Sequence, residues 1–337
     1  MNDRFLKACR GEPTDTVAVW FMRQAGRYQA EYRTLRRRYQ LLDLVQDPDL
    51  CCQVTALPVE QLGVDAAILF SDIMVPLGPM GVNYRIQEGV GPVLAHPLRT
   101  ADDIARLVPL HAQRGLDFVP AAIEKICRRL TVPLIGFSGA PFTLASYLVE
   151  GGPSRQYLAT KRMLWGEPKL WGRLMDRLSE MVVAYTTLQV HAGAHAIQLF
   201  DSWAGALSRQ DFDRAVKPYL IGIYETLAAL GVPLLYFAVG AGHLIDSLAD
   251  LPLDVIGVDW RHPLGEVRRR AGQRTLQGNL DPAVLLAPWE TIEDSATEVL
   301  GQGKGGGHIF NLGHGVLPDT DPGTLRRLVE FVHQQGG

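Results

Sequence analysis

Eight short apolar runs rich in β-branched and aromatic residues alternate along the chain with segments of helical periodicity. The runs span residues 17–22, 66–70, 133–137, 194–200, 233–237, 255–258, 274–277 and 308–311. Strands that alternate with helices form parallel sheets, which are buried on both faces. Eight such units without a polar linker favour a closed (β/α)8 TIM barrel over an open sheet. We therefore expect one α/β domain over residues 1–337, in which residues 1–16 form an extension leading into the first strand.

Five segments indicate helices between or after these runs. The segment 171–190 has apolar residues at three- and four-residue steps, which is one face of a helix. Asp47-Pro48 places a capping residue before a proline and predicts a helix that continues to Leu62. Asp281-Pro282 repeats this device, and segments 211–230 and 320–332 are also predicted as helices.

Composition excludes several classes of protein. The chain has 337 residues, 47% hydrophobic and 20% charged, with a formal net charge of −3. These values are typical of globular proteins and exclude a disordered chain or a nucleic-acid binder with a general basic field. No apolar run approaches the roughly 18 residues of a membrane span, and the N-terminus has no signal-peptide pattern. The four cysteines contain no C-x-x-C pair, so we expect a soluble protein of the reducing cytoplasm.

Polar residues and glycines follow every apolar run. The segments are MRQAGRY (22–28), FSDI (70–73), FSGAPF (137–142), FDSWAG (200–205), FAVGAG (237–242), VDW (258–260), QGNLDP (277–282) and NLGHG (311–315). Any strand-to-helix turn uses Gly, Asp and Ser, so one such loop alone indicates little. In a barrel all eight converge on one face, where active sites lie. Together they favour an enzyme.

One part of the chain is dense in arginine. The whole sequence has six lysines, so most of its 33 basic residues are arginines, and six of these arginines lie between residues 23 and 38 with the single acid Glu31. Arginine binds carboxylates through a planar fork of two donors. This segment therefore predicts a local site for an anionic small molecule in a nearly neutral protein.

Several chemistries lack their usual residues. No lysine lies at a strand end, which argues against Schiff-base mechanisms. Gly301, Gly303 and Gly306 match G-x-G-x-x-G, but they precede a strand instead of following one, which argues against a dinucleotide site. Ser202 and His314 lie on the expected catalytic face without a G-x-S-x-G elbow, so Ser202 is better interpreted as a hydrogen-bonding group.

A metal site is less favoured than a metal-free site, because the chain lacks H-E-x-x-H, C-x-x-C and paired H-x-H ligands. Strand ends nevertheless bring several possible ligands to the same face, so a carboxylate/histidine site stays open at this point. These ligands are Asp72, Asp201, Asp259, Asp281 and His314.

The remaining candidates are fixed cations, one strand-end carboxylate and neutral hydrogen-bonding groups. They are Arg23, Arg27, Arg36, Asp72, Tyr147, Ser202 and His314. Such a set suits a polyanionic substrate on which positive charge develops during the reaction, since the arginines would bind carboxylates and the aspartate would stabilise the cation.

The motifs resemble those of the uroporphyrinogen decarboxylases of haem biosynthesis, in the same order from about residue 17 to residue 335. They are MRQAGRY, LFSDI, GAPFTLASYLVEGG, QLFDSWAG, GVDW, LQGNLDP and FNLGHGVLPDT. The resemblance implies a single-domain barrel that acts as a homodimer without a metal or organic cofactor. It also implies removal of four acetate carboxyls from uroporphyrinogen III, which yields coproporphyrinogen III and CO2. No nucleic-acid or membrane partner is expected.

The same resemblance assigns site residues. The substrate loop of the family falls on Arg23, Gln24, Ala25, Gly26 and Arg27, and its essential aspartate on Asp72. Further substrate-binding positions are Tyr147, Ser202, His314, Arg36 and the apolar Phe70, Phe137 and Phe200. Asp72, Arg23, Tyr147 and His314 are the expected catalytic residues, and the proton donor stays open between Tyr147, His314 and a water held by Arg23.

The sequence also departs from the family beside the site, at Gln29-Ala30-Glu31 and around Val239. Two alternatives belong to other classes: a barrel methyltransferase, disfavoured by the missing Cys/His zinc ligands, and a non-catalytic porphyrin carrier.

Overall fold

The computed structural model describes residues 1–87, 89–110 and 115–336. Its strands are, in chain order, β1 (Ala18–Val19), β2 (Ala67–Ile68), β3 (Tyr84–Gln87), β4 (Gly91–Leu94), β5 (Leu134–Gly139), β6 (Ala196–Asp201), β7 (Leu234–Ala238), β8 (Val255–Gly257), β9 (Thr275–Gln277) and β10 (His308–Phe310). Eight of them form one parallel sheet in the order β1-β10-β9-β8-β7-β6-β5-β2, and β3 pairs with β4 as an antiparallel hairpin. All eight predicted strands are confirmed. Five lie inside their predicted runs, and β5, β6 and β7 extend one or two residues beyond the predicted ends.

The α-helices are, in chain order, α1 (Arg4–Cys9), α2 (Ala30–Arg36), α3 (Leu41–Gln46), α4 (Pro48–Leu62), α5 (Ala101–Ala105), α6 (Phe118–Arg129), α7 (Pro141–Glu150), α8 (Leu158–Gly166), α9 (Pro168–His191), α10 (Arg209–Ala215), α11 (Lys217–Ala228), α12 (Ile245–Ala249), α13 (Leu264–Ala271), α14 (Trp289–Gly303) and α15 (Pro322–Gln335). Short 3-10 helices cover Val75–Leu77, Ala204–Ala206, Gly242–Leu244 and Pro282–Leu286. Among the described residues, no helix combines the length and the apolar character that crossing a membrane requires.

The sequence predicts one continuous helix over residues 211–230, and this prediction was wrong. The segment folds as α10 and α11, which are separated at Val216 (φ −129°). Pro218 explains the break, since it cannot donate to the carbonyl of Arg214 and its ring clashes with that turn. The other capping signals are confirmed: the Asp47 side chain accepts from the amides of Asp49 and Leu50 at 2.9 and 3.0 Å, and Asp281-Pro282 opens a short 3-10 helix.

A buried aspartate joins the two outer strands of the sheet and closes the barrel. The Asp65 amide donates to the Val19 carbonyl at 2.7 Å, and the Asp65 carboxylate accepts from the Val19 amide at 2.8 Å. The same carboxylate accepts from Asn2 at 3.1 Å, contacts His333 at 2.8 Å and pairs with Arg4. Because Asp65 is 1% exposed, these partners satisfy a carboxylate that would otherwise be costly to bury.

The strands are buried on both faces, as expected for a parallel sheet surrounded by helices. The barrel interior is not purely apolar. Trp20 Nε1 donates to Gln277 at 2.9 Å, and Gln277 donates to Gln198 at 3.0 Å. This buried chain connects β9 to β6 across the barrel and gives the overlying mouth a fixed floor.

Candidate active site

Buried side chains fix the loop that follows β1. The Gln24 amide is 0% exposed, accepts from the Phe21 amide at 3.1 Å and donates to the Ala66 carbonyl at 3.0 Å. Asn311, just after β10, accepts from the Met22 amide at 3.0 Å. Gln24 therefore holds the loop between two strands, since both ends of its amide bind the backbone.

Arg23 stands in this loop with a left-handed backbone (φ 57°), which non-glycine residues rarely adopt and which costs roughly 1–3 kcal/mol. The neighbouring Gly315 leaves room for it, because a Cβ at that position would overlap the Arg23 side chain. Both Arg23 and Arg27 are exposed. The charge of Arg23 nevertheless acts on Asp72, Tyr147 and His314.

Neighbouring residues support the second half of the loop. Gly26 donates to the Gln29 side chain at 3.1 Å, and Ala25 beside it is half-buried. Arg33 Nη1 donates to the Arg27 carbonyl at 2.8 Å. Further along, Arg36 donates to the Tyr39 carbonyl at 2.8 Å, and Arg36 and Arg27 both act electrostatically on Tyr32. Arg27 and Arg36 therefore both lie near Tyr32, and we refer to this part of the loop as the rim.

Asp72 follows β2 at the mouth and is partly exposed. Its Oδ1 accepts from the Met74 amide at 2.9 Å. Burial among protein atoms raises the pKa of Asp72, and the Met74 hydrogen bond and the Arg23 charge oppose this shift. The arrangement leaves a carboxylate that is surrounded by protein and lies near the positive charge of Arg23.

Tyr147 lies beside this pair. Burial and the Asp72 charge raise the pKa of Tyr147 to about 12, while Arg23 lowers it. The Tyr147 ring lies 5.8 Å from that of Trp203, which in turn lies 5.5 Å from that of Tyr157. Three aromatic rings thus form one wall of the mouth, with a neutral hydroxyl next to Asp72.

His314 and Ser202 complete the predicted polar set, and both are half-buried. Burial lowers the pKa of His314 to about 4, and the charges of Arg23 and Arg261 act in the same direction. The imidazole is therefore neutral near pH 7 in the free protein. Ser202 directly follows Asp201 at the end of β6.

The predicted apolar residues line adjacent strand ends. Phe137 and Phe200 meet edge to face at 5.5 Å, and Phe70 meets Tyr32 at 5.7 Å. Phe237, which the sequence analysis did not single out as a site residue, extends the series at 6.3 Å from Phe200. Phenylalanines at the same position of neighbouring parallel strands are the signal that could have found it, since β6 pairs Phe200 with Phe237 directly.

Tyr84 was also missed. It lies on the hairpin strand β3, is half-buried, and the Asp72 charge helps to raise its pKa. Sequence reasoning had no signal for it because the hairpin lies outside the eight strand-helix units.

Two strand-end aspartates that could have served a metal are engaged within the fold. Asp201 is 0% exposed and accepts from Thr143 at 2.6 Å and from Tyr236 at 2.8 Å, and burial raises its pKa to about 6. Asp259 binds Arg261 at 3.0 Å. Among the residues that the structure describes, no group of three His, Cys, Asp or Glu side chains could hold a metal ion.

Comparisons of the whole chain identify its relatives. The family model described as uroporphyrinogen decarboxylase (URO-D) matches residues 1–335. Proteins named uroporphyrinogen decarboxylase from Geobacillus kaustophilus (strain HTA426) and Bacillus pumilus (strain SAFR-032) are 52% and 51% identical, over 99% and 98% of this chain and 97% and 95% of theirs.

Solved structures show the same fold at low identity. A methyltransferase from Methanosarcina mazei aligns with a TM-score of 0.78 at 22% identity, covering 99% of this chain and 98% of its own. A B12-independent methionine synthase from Shewanella sp. W3-18-1 aligns at 0.58 and 11%, covering 96% and 97%. These likenesses concern the barrel alone, whereas the family match and the half-identical relatives extend over the motifs of the mouth. The chain belongs to the uroporphyrinogen decarboxylase family.

Proposed function

We propose that this chain is a carboxy-lyase that removes the four acetate carboxyls of uroporphyrinogen III, and that residues 1–337 form one catalytic barrel domain. The observation that carries the proposal is the position of Asp72, a protein-surrounded carboxylate at the mouth beside Arg23 and Tyr147. The family match over residues 1–335 supports it.

Loss of CO2 requires a place for the electrons of the broken carbon–carbon bond. Protonation of a pyrrole α-carbon makes the ring an iminium-like acceptor, so the acetate can lose CO2 and leave an exocyclic methylene. A second proton on that methylene gives the methyl group, and loss of the first proton restores the pyrrole. The net change at each ring is one carboxylate and one proton converted to CO2 and a C–H bond.

In this scheme Asp72 accepts hydrogen bonds from the pyrrole N–H groups and stabilises the cationic ring. A preorganised group of this kind contributes about 3–4 kcal/mol to transition-state stabilisation. Since the four N–H groups of the macrocycle point to one centre, one aspartate can serve each ring in turn. Phe70, Phe137 and Phe200 would contact the faces of the macrocycle, while Gln24, Ala25 and Gly26 hold the loop of Arg23 in place.

The substrate has eight carboxylates, which Arg23, Arg27 and Arg36 at one rim would bind. Tyr147 and Ser202 supply neutral hydrogen bonds. The free imidazole of His314 is neutral, with a pKa of about 4. Substrate carboxylates beside it would raise that pKa, so His314 can take up a proton on binding and release it in the reaction. Tyr147, with its pKa raised to about 12, is the weaker acid.

The test is incubation with enzymatically made uroporphyrinogen III under reducing conditions, followed by counting the carboxyls of the products. Products with seven to four carboxyls are expected, and a product mixture that keeps all eight would contradict the proposal. A carrier protein would bind the tetrapyrrole without changing this count, and a zinc methyltransferase would be recognised by metal analysis of the purified protein.

The resemblance to the family further suggests a homodimer that needs no cofactor and binds no nucleic acid. Sedimentation of the purified protein tests the dimer. The four cysteines are free thiols, which favours a reducing compartment such as the cytoplasm.

A further inference from the structure

The turn after β8 carries an arginine that is bound to a buried aspartate. Asp259 is 2% exposed and accepts from the Arg261 amide at 3.0 Å, from Arg261 Nη1 at 3.0 Å and from the Gly240 amide. The Arg261 side chain itself is 47% exposed. One edge of the guanidinium is therefore fixed by a carboxylate, and the remainder reaches the surface.

The turn is held from several sides. Asn279 Nδ2 donates to the carbonyls of Asp259 and His262 at 2.8 and 2.6 Å. Gly313 approaches Trp260 so closely that a Cβ would overlap the Trp260 backbone. The loops after β8, β9 and β10 thus interlock, and Arg261 projects from a rigid base.

The Arg261 guanidinium is connected to the proposed substrate site through two ring contacts. Its Cζ lies 3.8 Å from the centre of the Trp260 ring, and this ring meets the His314 ring edge to face at 6.1 Å. Arg23 and Arg261 both act electrostatically on His314. The two arginines therefore both lie near the imidazole but come from different loops, one after β1 and one after β8.

In the part of the chain that the structure describes, the hydrogen bonds of the guanidinium involve Nη1 alone. The Nε and Nη2 donors are left, and together they form the planar edge that binds a carboxylate with two parallel hydrogen bonds. The stacked Trp260 ring and the Asp259 contact restrict the side chain in advance, which lowers the entropic cost of binding.

We propose that Arg261 binds a carboxylate of the tetrapyrrole substrate, as a second cationic anchor near His314 that comes from a different loop than Arg23. The inference rests on the proposed function and adds a substrate-binding residue to it. Eight carboxylates spread around a macrocycle need cations on more than one side of the mouth, whereas Arg23, Arg27 and Arg36 all come from the segment that follows β1.

The test compares Arg261→Gln and Arg261→Lys with the unaltered enzyme. The matched control is Arg129→Gln, which removes an arginine of similar exposure (41%) that pairs with Glu60 on the outer helices. We expect Arg261→Gln to raise KM about tenfold with little change in kcat, since one carboxylate loses its two-point contact. Arg261→Lys should recover only part of this, and Arg129→Gln should leave KM unchanged.

Inhibition by coproporphyrinogen shows whether Arg261 binds an acetate or a propionate carboxylate of the substrate, because this product keeps the propionates and has lost the acetates. Weaker product inhibition of Arg261→Gln indicates a propionate contact, and unchanged product inhibition with raised KM indicates an acetate contact. An unchanged KM, or a fall in kcat alone, would show that Arg261 only supports Asp259 and would overturn the inference. If Arg261→Gln does not fold, the same comparison of KM and kcat is made with Arg261→Lys, and an unchanged KM of that variant overturns the inference. Failure of the unaltered enzyme to remove carboxyls would instead overturn the proposed function.

Discussion

Two aspartates flank the same short strand β2 and have opposite surroundings. Asp65 precedes the strand at the seam of the barrel, and Asp72 follows it at the mouth. Asp65 is in contact with Val19, Asn2, Arg4 and His333. Among the described residues, the Met74 amide is the one donor within hydrogen-bond distance of the Asp72 carboxylate.

The difference separates a structural carboxylate from one that is available to a ligand. The hydrogen-bonding capacity of Asp65 is used inside the fold, so its charge stabilises the closed barrel. Asp72 retains acceptor capacity in surroundings that disfavour its charged form, which raises its pKa. Such an arrangement costs stability and is typical of a functional site.

The largest expected effect is on Asp72. Replacing Asp72 with Asn should lower kcat by about 10²–10³-fold, because the substrate cation loses its counter-charge. The free energy of unfolding should stay equal or rise, since a neutral amide avoids the cost of burying a charge. Carboxyl counting and urea denaturation measure the two quantities, and near-normal turnover would refute the role of Asp72.

Asp65→Asn is the matched variant at the other end of the strand. It should lower the free energy of unfolding by about 1.5–3 kcal/mol, the range for hydrogen bonds to charged groups. Turnover per folded molecule should stay near that of the unaltered enzyme. Urea denaturation at constant pH tests this, and a variant that loses turnover but not stability would reverse the comparison.

A smaller effect is expected at the rim. Arg27→Ala should raise KM about tenfold while kcat changes little, because one charge-assisted contact to a substrate carboxylate is lost. The control is Arg37→Ala, an exposed residue that donates to the Thr34 side chain at 3.0 Å. Equal KM values for both variants would exclude Arg27 as a carboxylate contact.

The smallest effect concerns pH. Burial raises the pKa of Asp72. As the pH is lowered, kcat/KM should therefore begin to fall at a higher pH than it would if the pKa of Asp72 had the ordinary value for aspartate. The Arg23 charge opposes this shift, so Arg23→Gln should move the acid limb to still higher pH. Activity is expected above the pKa of Asp72 and is lost as the pH falls through it. An acid limb at the same pH in both proteins would contradict the coupling.

Sequence reasoning predicted the barrel strands because parallel strands leave continuous apolar runs, such as residues 133–137 and 233–237. It also placed Arg23 and Asp72 on one face, since the ends of parallel strands converge. Tyr147 lies within α7, and its expected role in the site came from the resemblance to the family. The break at Val216 was missed because the helical pattern continues through it, although Pro218 is visible in the sequence.

Other features needed three-dimensional contacts. In the sequence, Asp65 cannot be told apart from an ordinary loop aspartate. Its role depends on contacts with Arg4 and His333, which are distant in sequence. Arg261 likewise looks like an ordinary surface arginine in the sequence, because the contact between Trp260 and His314 is visible only in the folded structure. These residues act through partners from remote parts of the chain, which local patterns do not reveal.

The central claim is that Asp72 meets the tetrapyrrole as a carboxylate, and infrared difference spectroscopy of isotope-labelled aspartate tests it most directly. Spectra of the unaltered enzyme and of Asp72→Asn would be compared before and after addition of coproporphyrinogen, which binds without reacting. We predict a shifted carboxylate band that is present in the unaltered enzyme and absent from Asp72→Asn. A protonated carboxyl band for Asp72 in the complex, or no band that depends on this residue, would contradict the account.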